Sequence, residues 1–465
     1  MDFLNSMILS FNDFLWTYIL IGMLLAIGIY FTFKTKFVQF RNLKEMFTLL
    51  GEGAADNKKD SVSSFQAFCI STASRVGTGN LAGVATAIAV GGPGAVFWMW
   101  LIALIGSASS FVESTLAQIY KEKDGDNFVG GPAFYMKKGL KSKWMGVIFS
   151  IIITITFGLV FNSVQSNTIT LSLYSSFGFN KVLVGSILTI LTIIIIFGGV
   201  KRIANFSSVI VPVMAILYIL VTLFILVKNI TTLPSVLALI FENAFGFNQV
   251  VGGGMGAALM QGIRRGLFSN EAGMGSAPNA AATADVTHPV KQGFIQTLGV
   301  FTDTLVICSC TAFMILLSDV PLDGSVKGIE LTQLALQSQI GSFGNIFISI
   351  CILLFAFSSI IGNYYYGESN IQFISNKKIY LWIYRILVSA MVFFGALVGI
   401  DIVWNLADLF MGFMAIINLI AILLLSKVAF KALKDYKDQK KSGIKSPVFK
   451  ASSIPELKDI DTEWK

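Results

Sequence analysis

Eleven apolar runs, each long enough to cross a lipid bilayer as a helix, occupy most of this chain of 465 residues. A hydrocarbon core about 30 Å thick requires roughly 20 such residues. Charged residues make up only 13% of the sequence, whereas they make up about a quarter of an ordinary soluble domain. The sequence therefore predicts an all-α polytopic membrane protein with eleven transmembrane helices. The runs lie at about 14–33, 64–90, 94–119, 145–175, 182–198, 204–227, 250–283, 292–317, 343–374, 379–400 and 402–426.

Most basic residues lie between these runs and not within them. Lysine is concentrated in the segments that follow the first, third and last runs, and such an excess marks cytoplasmic segments. The net charge of +8 therefore reflects topology and does not indicate a nucleic-acid partner. We expect the N-terminus outside the cell and the C-terminus in the cytoplasm. Residues 427–465 are expected to form a solvated basic tail near anionic lipid.

The second run is interrupted by residues that form helices poorly. It contains the sequence Arg75-Val-Gly77-Thr-Gly79-Asn80, and glycine is unfavourable inside a helix. A helix that breaks within a membrane must direct its freed backbone groups toward protein or a water-filled cavity. In the alternative interpretation, these glycines only allow neighbouring helices to pack closely.

The seventh run is interrupted in a similar way, with several glycines between residues 252 and 266. Helices 2–6 would begin in the cytoplasm and helices 7–11 outside, so the two five-helix units would have opposite orientations. Broken helices at matching positions of inverted halves point to a binding site at the membrane midplane. The predicted organisation is an extra N-terminal helix followed by a 5+5 inverted-repeat core with two broken helices. Its parts are 1–33, the repeats 64–227 and 250–426, and the tail 427–465.

The stretch Gly91-Gly-Pro-Gly-Ala-Val-Phe-Trp-Met-Trp-Leu-Ile-Ala-Leu-Ile-Gly106 resembles the signature of the alanine or glycine:cation symporter family. The resemblance covers about residues 14–430. It implies the fold shared with the neurotransmitter:sodium symporters. It also implies a transporter, not an enzyme, that imports a small neutral amino acid with a sodium ion by alternating access in a prokaryotic plasma membrane. Further family-like stretches are Arg75–Asn80, Gly130–Met136, Phe161–Asn167, Gln261–Gly273, Ser276–Asn279 and Tyr365–Glu368.

A zwitterionic amino acid needs donors for its carboxylate and acceptors for its ammonium group. Backbone N–H groups at the start of a half-helix can bind the carboxylate, and carbonyls at the end of another can bind the ammonium group. Gln165 is expected to contact the substrate, although a hydrogen bond between two helices is the alternative explanation for it. The predicted substrate-binding residues are Gly77, Thr78, Gly79, Asn80, Gln165, Gln261, Gly262, Ile263, Ser359 and Asn363.

The family resemblance also implies a sodium site between the inner half of helix 2 and the third helix of the second repeat. Its ligands would be the carbonyl oxygens of Ala73, Val76 and Phe355 and the hydroxyls of Ser358 and Ser359. Such uncharged oxygens suit a hard cation. Serine hydroxyls inside a helix also donate to carbonyls of the preceding turn. This structural role is compatible with binding sodium.

The sequence departs from the family at Asn363, where a tryptophan is expected in alanine and glycine carriers. Asn363 lies one turn after Ser359 and so shares its helix face. A carboxamide in place of an indole enlarges the pocket and adds donors and an acceptor. This change favours a larger polar substrate such as glutamine.

Acidic residues within membrane spans are functional candidates. We expect them to form structural or gating ion pairs, with Arg75, Arg264 and Arg265 as partners, and the last two facing the cytoplasmic vestibule. Proton coupling through an acid such as Asp303 is the alternative, and a channel or an intramembrane enzyme finds little support in the motifs. The acids are Glu113, Glu271, Asp303, Glu368 and Asp408.

Overall fold

The computed structural model describes residues 2–54, 61–125, 127–246 and 254–464, and these residues are mostly helical. One short antiparallel hairpin pairs Glu122–Asp124 with Asn127–Val129. The helices are Asp2–Phe14, Leu15–Leu20, Ile21–Lys34, Val38–Arg41, Leu43–Leu50, Ser64–Arg75, Gly79–Gly83, Val84–Gly91, Ala95–Ile119, Pro132–Lys138, Lys143–Ile153, Thr154–Phe161, Asn162–Phe177, Lys181–Ile196, Gly199–Lys228, Leu233–Ala244, Met255–Asn270, Ala277–Thr283, Pro289–Val300, Phe301–Cys308, Ser309–Leu316, Ile329–Ile340, Ser342–Ile374, Lys378–Leu397, Ile400–Lys441, Ala451–Ser453 and Pro455–Leu457.

Eight helices in the described part of the chain are long and apolar enough to cross a membrane. They coincide with eight of the predicted runs, so the predicted polytopic helical class is confirmed. The other three runs form two broken helices and the short helix Lys181–Ile196, and the count of eleven stays a prediction. The eight are Ser6–Lys34, Ala95–Ile119, Lys143–Phe177, Arg202–Lys228, Pro289–Leu316, Ser342–Ile374, Lys378–Leu397 and Asp401–Lys441.

The first broken helix consists of Ser64–Arg75 and Gly79–Gly91. Its inner half starts with a capping box, in which the Ser63 hydroxyl accepts from the Gln66 N–H and the Gln66 side chain accepts from the Ser63 N–H. The helix stops at Val76, whose backbone is extended. The interruption lies where the sequence predicts it.

The second broken helix consists of Met255–Asn270 and Ala277–Thr283. Glu271 ends the first half with a left-handed backbone, φ 58°, and Gly273 and Gly275 follow at φ 84° and 86°. Glycine adopts this conformation without steric cost. The break therefore occupies residues 271–276, beyond the glycines from which it was predicted.

The earlier glycines of this helix serve packing. A Cβ atom on Gly262 would collide with the Ala95 carbonyl and the Trp98 side chain, and one on Gly266 would lie 2.8 Å from Ile102 Cγ2. Small residues at such contacts let membrane helices approach closely, and the backbone stays helical. The predicted start of the second repeat at residue 250, with Gly252 and Gly253, lies outside the described residues, and the repeat boundaries stay a prediction.

The inner ends of the two broken helices meet. Val62 and Ala284 form a parallel bridge, and the Asp285 N–H donates to the Val62 carbonyl at 2.9 Å. The Gln118 amide donates to the Ala284 carbonyl at 2.9 Å, as does the Lys121 amine. These contacts join the two halves of the protein on the side that we predict to be cytoplasmic.

The end of the chain packs against this same region, so the expectation of a solvated tail is wrong for the described residues up to 464. The Phe449 N–H donates to the Thr287 carbonyl, and Trp464 Nε1 donates to the Gln118 carbonyl, both at 2.9 Å. Trp464 and Phe128 lie on Lys121, whose burial lowers the pKa of its amine to about 7. Aromatic anchors within a lysine-rich segment explain the difference, because the prediction considered charge alone.

Candidate functional site

The break in the first broken helix leaves two backbone amides outside the helical hydrogen-bond ladder. The Gly77 N–H donates to Asn80 Oδ1, and the Thr78 N–H donates to Gln165 Oε1, both at 2.9 Å. Gly79 follows, and Phe268 of the second broken helix packs on it. All six of these residues are buried. The structure thus brings Gly77, Thr78, Gly79, Asn80 and Gln165 together, as the sequence predicts. It places at the break two backbone donors of a kind suited to an anionic group, each bonded to a side-chain amide oxygen.

Ser359 places a hydroxyl against the end of the inner half of the same helix. Its Oγ lies 2.9 Å from the Ala73 carbonyl oxygen, 3.3 Å from that of Val76 and 3.1 Å from that of Phe355. The Ser358 hydroxyl donates to the Phe355 carbonyl at 2.8 Å. Four of the predicted sodium ligands therefore surround one point, and Ser358 joins them through the shared carbonyl. This set of uncharged oxygens matches what a hard cation requires.

A second polar cluster connects the two breaks. The Ser74 hydroxyl lies 2.7 Å from Glu271 Oε1 and 2.7 Å from Asn363 Oδ1. The Ser276 hydroxyl donates to Glu271 Oε2 at 2.6 Å. Asn363 is buried, and its Nδ2 has no hydrogen-bond partner among the described residues. A buried amide with a free atom beside a helix break is available to bind a ligand.

A third cluster lies at the end of helix Met255–Asn270. Asp303 Oδ1 accepts from Asn80 Nδ2 at 2.7 Å, and its Oδ2 accepts from the Ser269 hydroxyl at 2.8 Å and the Thr304 hydroxyl at 2.9 Å. Asp303 is completely buried. Both of its oxygens have donors, so this carboxylate fixes the outer half of the first broken helix to the second.

Glu113, from helix Ala95–Ile119, holds the second break open. It accepts from the N–H groups of Gly273 and Gly275, both at 3.1 Å, and from Asn418 Nδ2 at 2.7 Å. Backbone amides freed by an interrupted helix must find acceptors inside a membrane protein. One buried carboxylate provides them for two residues of the unwound segment.

Aromatic residues cover the break on the side of the N-terminal helix. The rings of Phe161 and Phe268 lie 4.6 Å apart, and those of Phe268 and Trp404 lie 4.8 Å apart. The Arg265 guanidinium stacks 4.7 Å from the Trp404 ring and pairs with Asp408 at 2.5 Å. Sequence reasoning missed these three aromatic residues as site residues, although Phe161 and Phe268 lie within family-like stretches.

Gln261, Gly262 and Ile263 do not lie at the break, so the prediction that their carbonyls end a half-helix is wrong. They sit inside the continuous helix Met255–Asn270, where carbonyls accept from the following turn. The glycines that suggested an interruption here pack against helix Ala95–Ile119. The helix end that contacts the first break is instead formed by Phe268 and Ser269, which lie next to Gly79.

The ion pairs agree with the prediction in part, because Arg264 and Arg265 pair with one of the expected acids, Asp408. Arg264 and Arg265 share Asp408, and Arg264 also lies 3.7 Å from Asp13 of the N-terminal helix. They therefore face the side of the N-terminus, which we predict to be outside, and not a cytoplasmic vestibule. Glu368 pairs with Arg385 at 3.2 Å. Arg75 has no ion pair among the described residues and donates to the Gln296 carbonyl at 3.3 Å.

Two broken helices whose interruptions meet around buried polar groups, in a polytopic helical protein, define a secondary transporter. The chain belongs to the sodium:alanine symporter family, whose model matches residues 1–451. The family predicted from the sequence is therefore confirmed, and its members are membrane transporters, not enzymes.

Two relatives illustrate the similarity. The chain is 62% identical over 438 residues to the probable sodium/glutamine symporter GlnT of Bacillus subtilis (strain 168), covering 94% of this chain and 91% of the relative. It is 58% identical over 461 residues to the amino-acid carrier protein AlsT of the same organism, covering 99% of this chain and 98% of the relative.

A solved structure shares the fold. The crystal structure of MhsT in complex with L-phenylalanine matches with a TM-score of 0.54 and 15% sequence identity, covering 88% of this chain and 94% of that chain. This match extends over nearly the whole protein.

Proposed function

We propose that this chain is a sodium-coupled symporter that imports a small neutral amino acid, of the alanine and glycine class or glutamine, by alternating access. The observation that carries the proposal is the convergence of Ser359 Oγ and three backbone carbonyls at the break, next to two backbone amides that bond only side-chain amide oxygens among the described residues. A cation bound there would lie beside a substrate carboxylate. Transport of the ion and transport of the substrate would then be coupled, because both would bind in one site.

The amides of Gly77 and Thr78 suit the carboxylate of a zwitterion, after the side chains of Asn80 and Gln165 turn away from them. The name of the relative GlnT, at 62% identity, supports glutamine as a substrate. The free amide atom of Asn363 supports a polar side chain on that substrate. We also propose a plasma-membrane location with the N-terminus outside, on the distribution of lysine.

Uptake into proteoliposomes tests the function. Alanine, glycine and glutamine are each offered with an inward gradient of sodium, potassium or choline at fixed pH. One sodium ion moving inward with a neutral zwitterion carries one net positive charge. An inside-negative membrane potential should therefore accelerate uptake, because it adds about 2.3 kcal/mol of driving force per 100 mV. Equal uptake in potassium or choline contradicts sodium coupling, and uptake driven by a pH gradient alone indicates a proton-coupled carrier.

Ser359→Ala should raise the sodium concentration for half-maximal uptake by about tenfold, because it removes the hydroxyl on which three carbonyls converge. Ser358→Ala, at the neighbouring position, removes a hydroxyl whose one bond within the described part of the chain is to the Phe355 carbonyl, and it should have a smaller effect. Sodium titration of initial uptake rates measures both. Wild-type sodium dependence in both variants would exclude these hydroxyls from the ion site.

Gln165→Ala should raise the substrate concentration for half-maximal uptake by about tenfold with little change in the amount of folded protein. The side chain reaches the break, and once its oxygen leaves the Thr78 amide its Nε2 can donate to the substrate carboxylate. Uptake kinetics and quantification of purified protein provide the measurement. A loss of folded protein with unchanged affinity in the remainder would show that Gln165 only joins two helices.

A further inference from the structure

Two adjoining cavities lie at the end of helix Ser342–Ile374 that we predict to be cytoplasmic. The first has a volume of about 540 Å³ and the second a volume of about 500 Å³. Ile371 and Ser375 line both cavities, so the two spaces meet at these residues. Neither cavity contains a residue of the proposed ion site or substrate site. The pair therefore requires an explanation of its own.

The first cavity is basic. Lys377 and Lys378 are exposed there and form no ion pair with another described residue. Glu122 lies 3.5 Å from the Lys137 amine but also 3.2 Å from the Lys138 amine, so it does not neutralise Lys137 alone. Positive charge in excess of negative charge favours an anionic ligand. The charged residues of the lining are Glu122, Lys123, Asp124, Lys137, Lys377 and Lys378.

The second cavity is an apolar groove between three helices that are each long and apolar enough to cross a membrane. Ile374, Ile383 and Leu387 line the groove and are 45%, 47% and 47% exposed. Apolar side chains that stay exposed on such helices face the hydrocarbon core of the bilayer. The groove is therefore open to lipid chains. The three helices are Lys143–Phe177, Ser342–Ile374 and Lys378–Leu397.

The groove also runs in the direction that a lipid chain requires. Its lining on helix Lys378–Leu397 extends from Tyr380 to Leu387, which corresponds to about 10 Å along a helix. Lys378, at the start of the same helix, lines the basic cavity instead. One molecule that occupies both cavities therefore needs a negative charge at one end and an apolar chain that enters the membrane span at the other.

We propose that the two cavities form one binding site for an anionic phospholipid. Its headgroup lies among Lys137, Lys377 and Lys378, and an acyl chain lies in the groove. Basic pockets between membrane helices on the cytoplasmic side bind headgroups of this kind. The bound lipid bridges the ends of helices Ser342–Ile374 and Lys378–Leu397, since both helices line both cavities. This inference goes beyond the proposed function and holds for any transported solute.

Native mass spectrometry of the full-length protein in detergent tests the site. The protein is titrated with phosphatidylglycerol or with phosphatidylcholine of identical chains, so the two lipids differ in headgroup charge and not in apolar length. The first phosphatidylglycerol should bind about tenfold or more tightly than the first phosphatidylcholine, because each nearby lysine attracts an anionic headgroup. Inorganic phosphate at the same concentration should not displace it, since phosphate has no chain for the groove.

A double variant, Lys377→Gln with Lys378→Gln, tests the headgroup cavity. It should weaken phosphatidylglycerol binding by about tenfold and leave phosphatidylcholine binding unchanged. Lys434→Gln with Lys441→Gln is the matched control. It removes the same charge from two exposed lysines that line neither cavity. Its phosphatidylglycerol affinity should stay within about twofold of wild type.

A second pair of variants tests the groove. Ile383→Trp places a larger side chain in the groove and should weaken binding of long-chain phosphatidylglycerol by about fivefold. Binding of the dihexanoyl form, whose chains are too short to fill the groove, should change less. Ile386→Trp is the control, because Ile386 is 63% exposed on the same helix and lines neither cavity.

Three results would overturn the inference. Equal affinity for the two lipids, or equal loss in the two lysine variants, would show that no headgroup site exists beyond the general charge of this surface. Displacement of the lipid by an equal concentration of phosphate would indicate a site for soluble anions. Equal effects of the two tryptophan variants would remove the chain from the groove. Lipid binding is measured without transport, so none of these results bears on the proposed function, and absence of sodium-driven uptake would leave this inference standing.

Discussion

Gly77→Ala should lower amino-acid uptake by about ten- to a hundredfold, as expected for overpacking of a tightly built site. A Cβ atom at this position would collide with the Ser359 hydroxyl and lie 2.8 Å from Gln165 Oε1. The first residue belongs to the proposed ion site and the second to the proposed substrate site. A single methyl group therefore disturbs both, and initial uptake rates per folded protein measure the loss.

Gly256→Ala provides the matched control. This glycine lies in the second broken helix, and nothing is found within 4 Å of a Cβ atom built on it. Alanine also favours helix more than glycine does. Uptake by this variant should stay within about twofold of the wild-type rate. If Gly77→Ala transports as well as Gly256→Ala, the break in the first broken helix does not line the site.

The position of the first break was predictable because the signal is local. Gly77-Thr-Gly79 interrupts an otherwise apolar run, and the structure breaks the helix there. The second break was misplaced because glycine has two uses in membrane helices. Gly262 makes a close helix contact, whereas Gly273 adopts a positive φ. Close packing and helix unwinding both favour glycine, so the residue type alone does not show which of the two a given glycine serves.

The polar clusters could be predicted only in part. Buried acids such as Glu271 and Asp303 were identified as candidates because a carboxylate within a membrane span is costly. Their partners depend on the tertiary fold, since Ser74 and Glu271 are 197 positions apart. For the same reason the sequence suggests Arg264 and Arg265 as partners of the acids but does not indicate that both pair with Asp408, or that Glu368 pairs with Arg385. The charge of a buried side chain indicates that it has a partner of opposite charge or a hydrogen-bond partner, but it does not identify the residue that provides it.

The end of the chain shows a further limit. Its lysines predict a solvated segment, but Phe449, Ile454 and Leu457 are buried. A few apolar side chains among many charged ones are enough to attach a tail when a complementary surface lies nearby. Periodicity over such a short and irregular segment does not reveal that surface.

Asn363→Trp should lower the ratio of glutamine to alanine uptake by about tenfold or more. Asn363 is buried and contacts Ser74, and its amide retains a free atom among the described residues. An indole is larger than a carboxamide, so it would occupy volume that we propose for the substrate side chain, and it would remove the group that we expect to bond the substrate amide. Alanine needs neither the space nor the bond, so its uptake should be spared or improved. The ratio of initial rates, measured on one preparation, is independent of expression.

Asn363→Ala separates the two contributions in this prediction. Alanine removes the carboxamide without filling the pocket, so glutamine still fits but loses its polar partner. The uptake ratio should then fall between those of the wild-type protein and Asn363→Trp. If the alanine variant matches the tryptophan variant, the hydrogen bond sets the preference and the volume of the pocket does not. If Asn363→Trp leaves the ratio unchanged, Asn363 lies outside the substrate pocket, and the preference for a larger substrate must arise elsewhere.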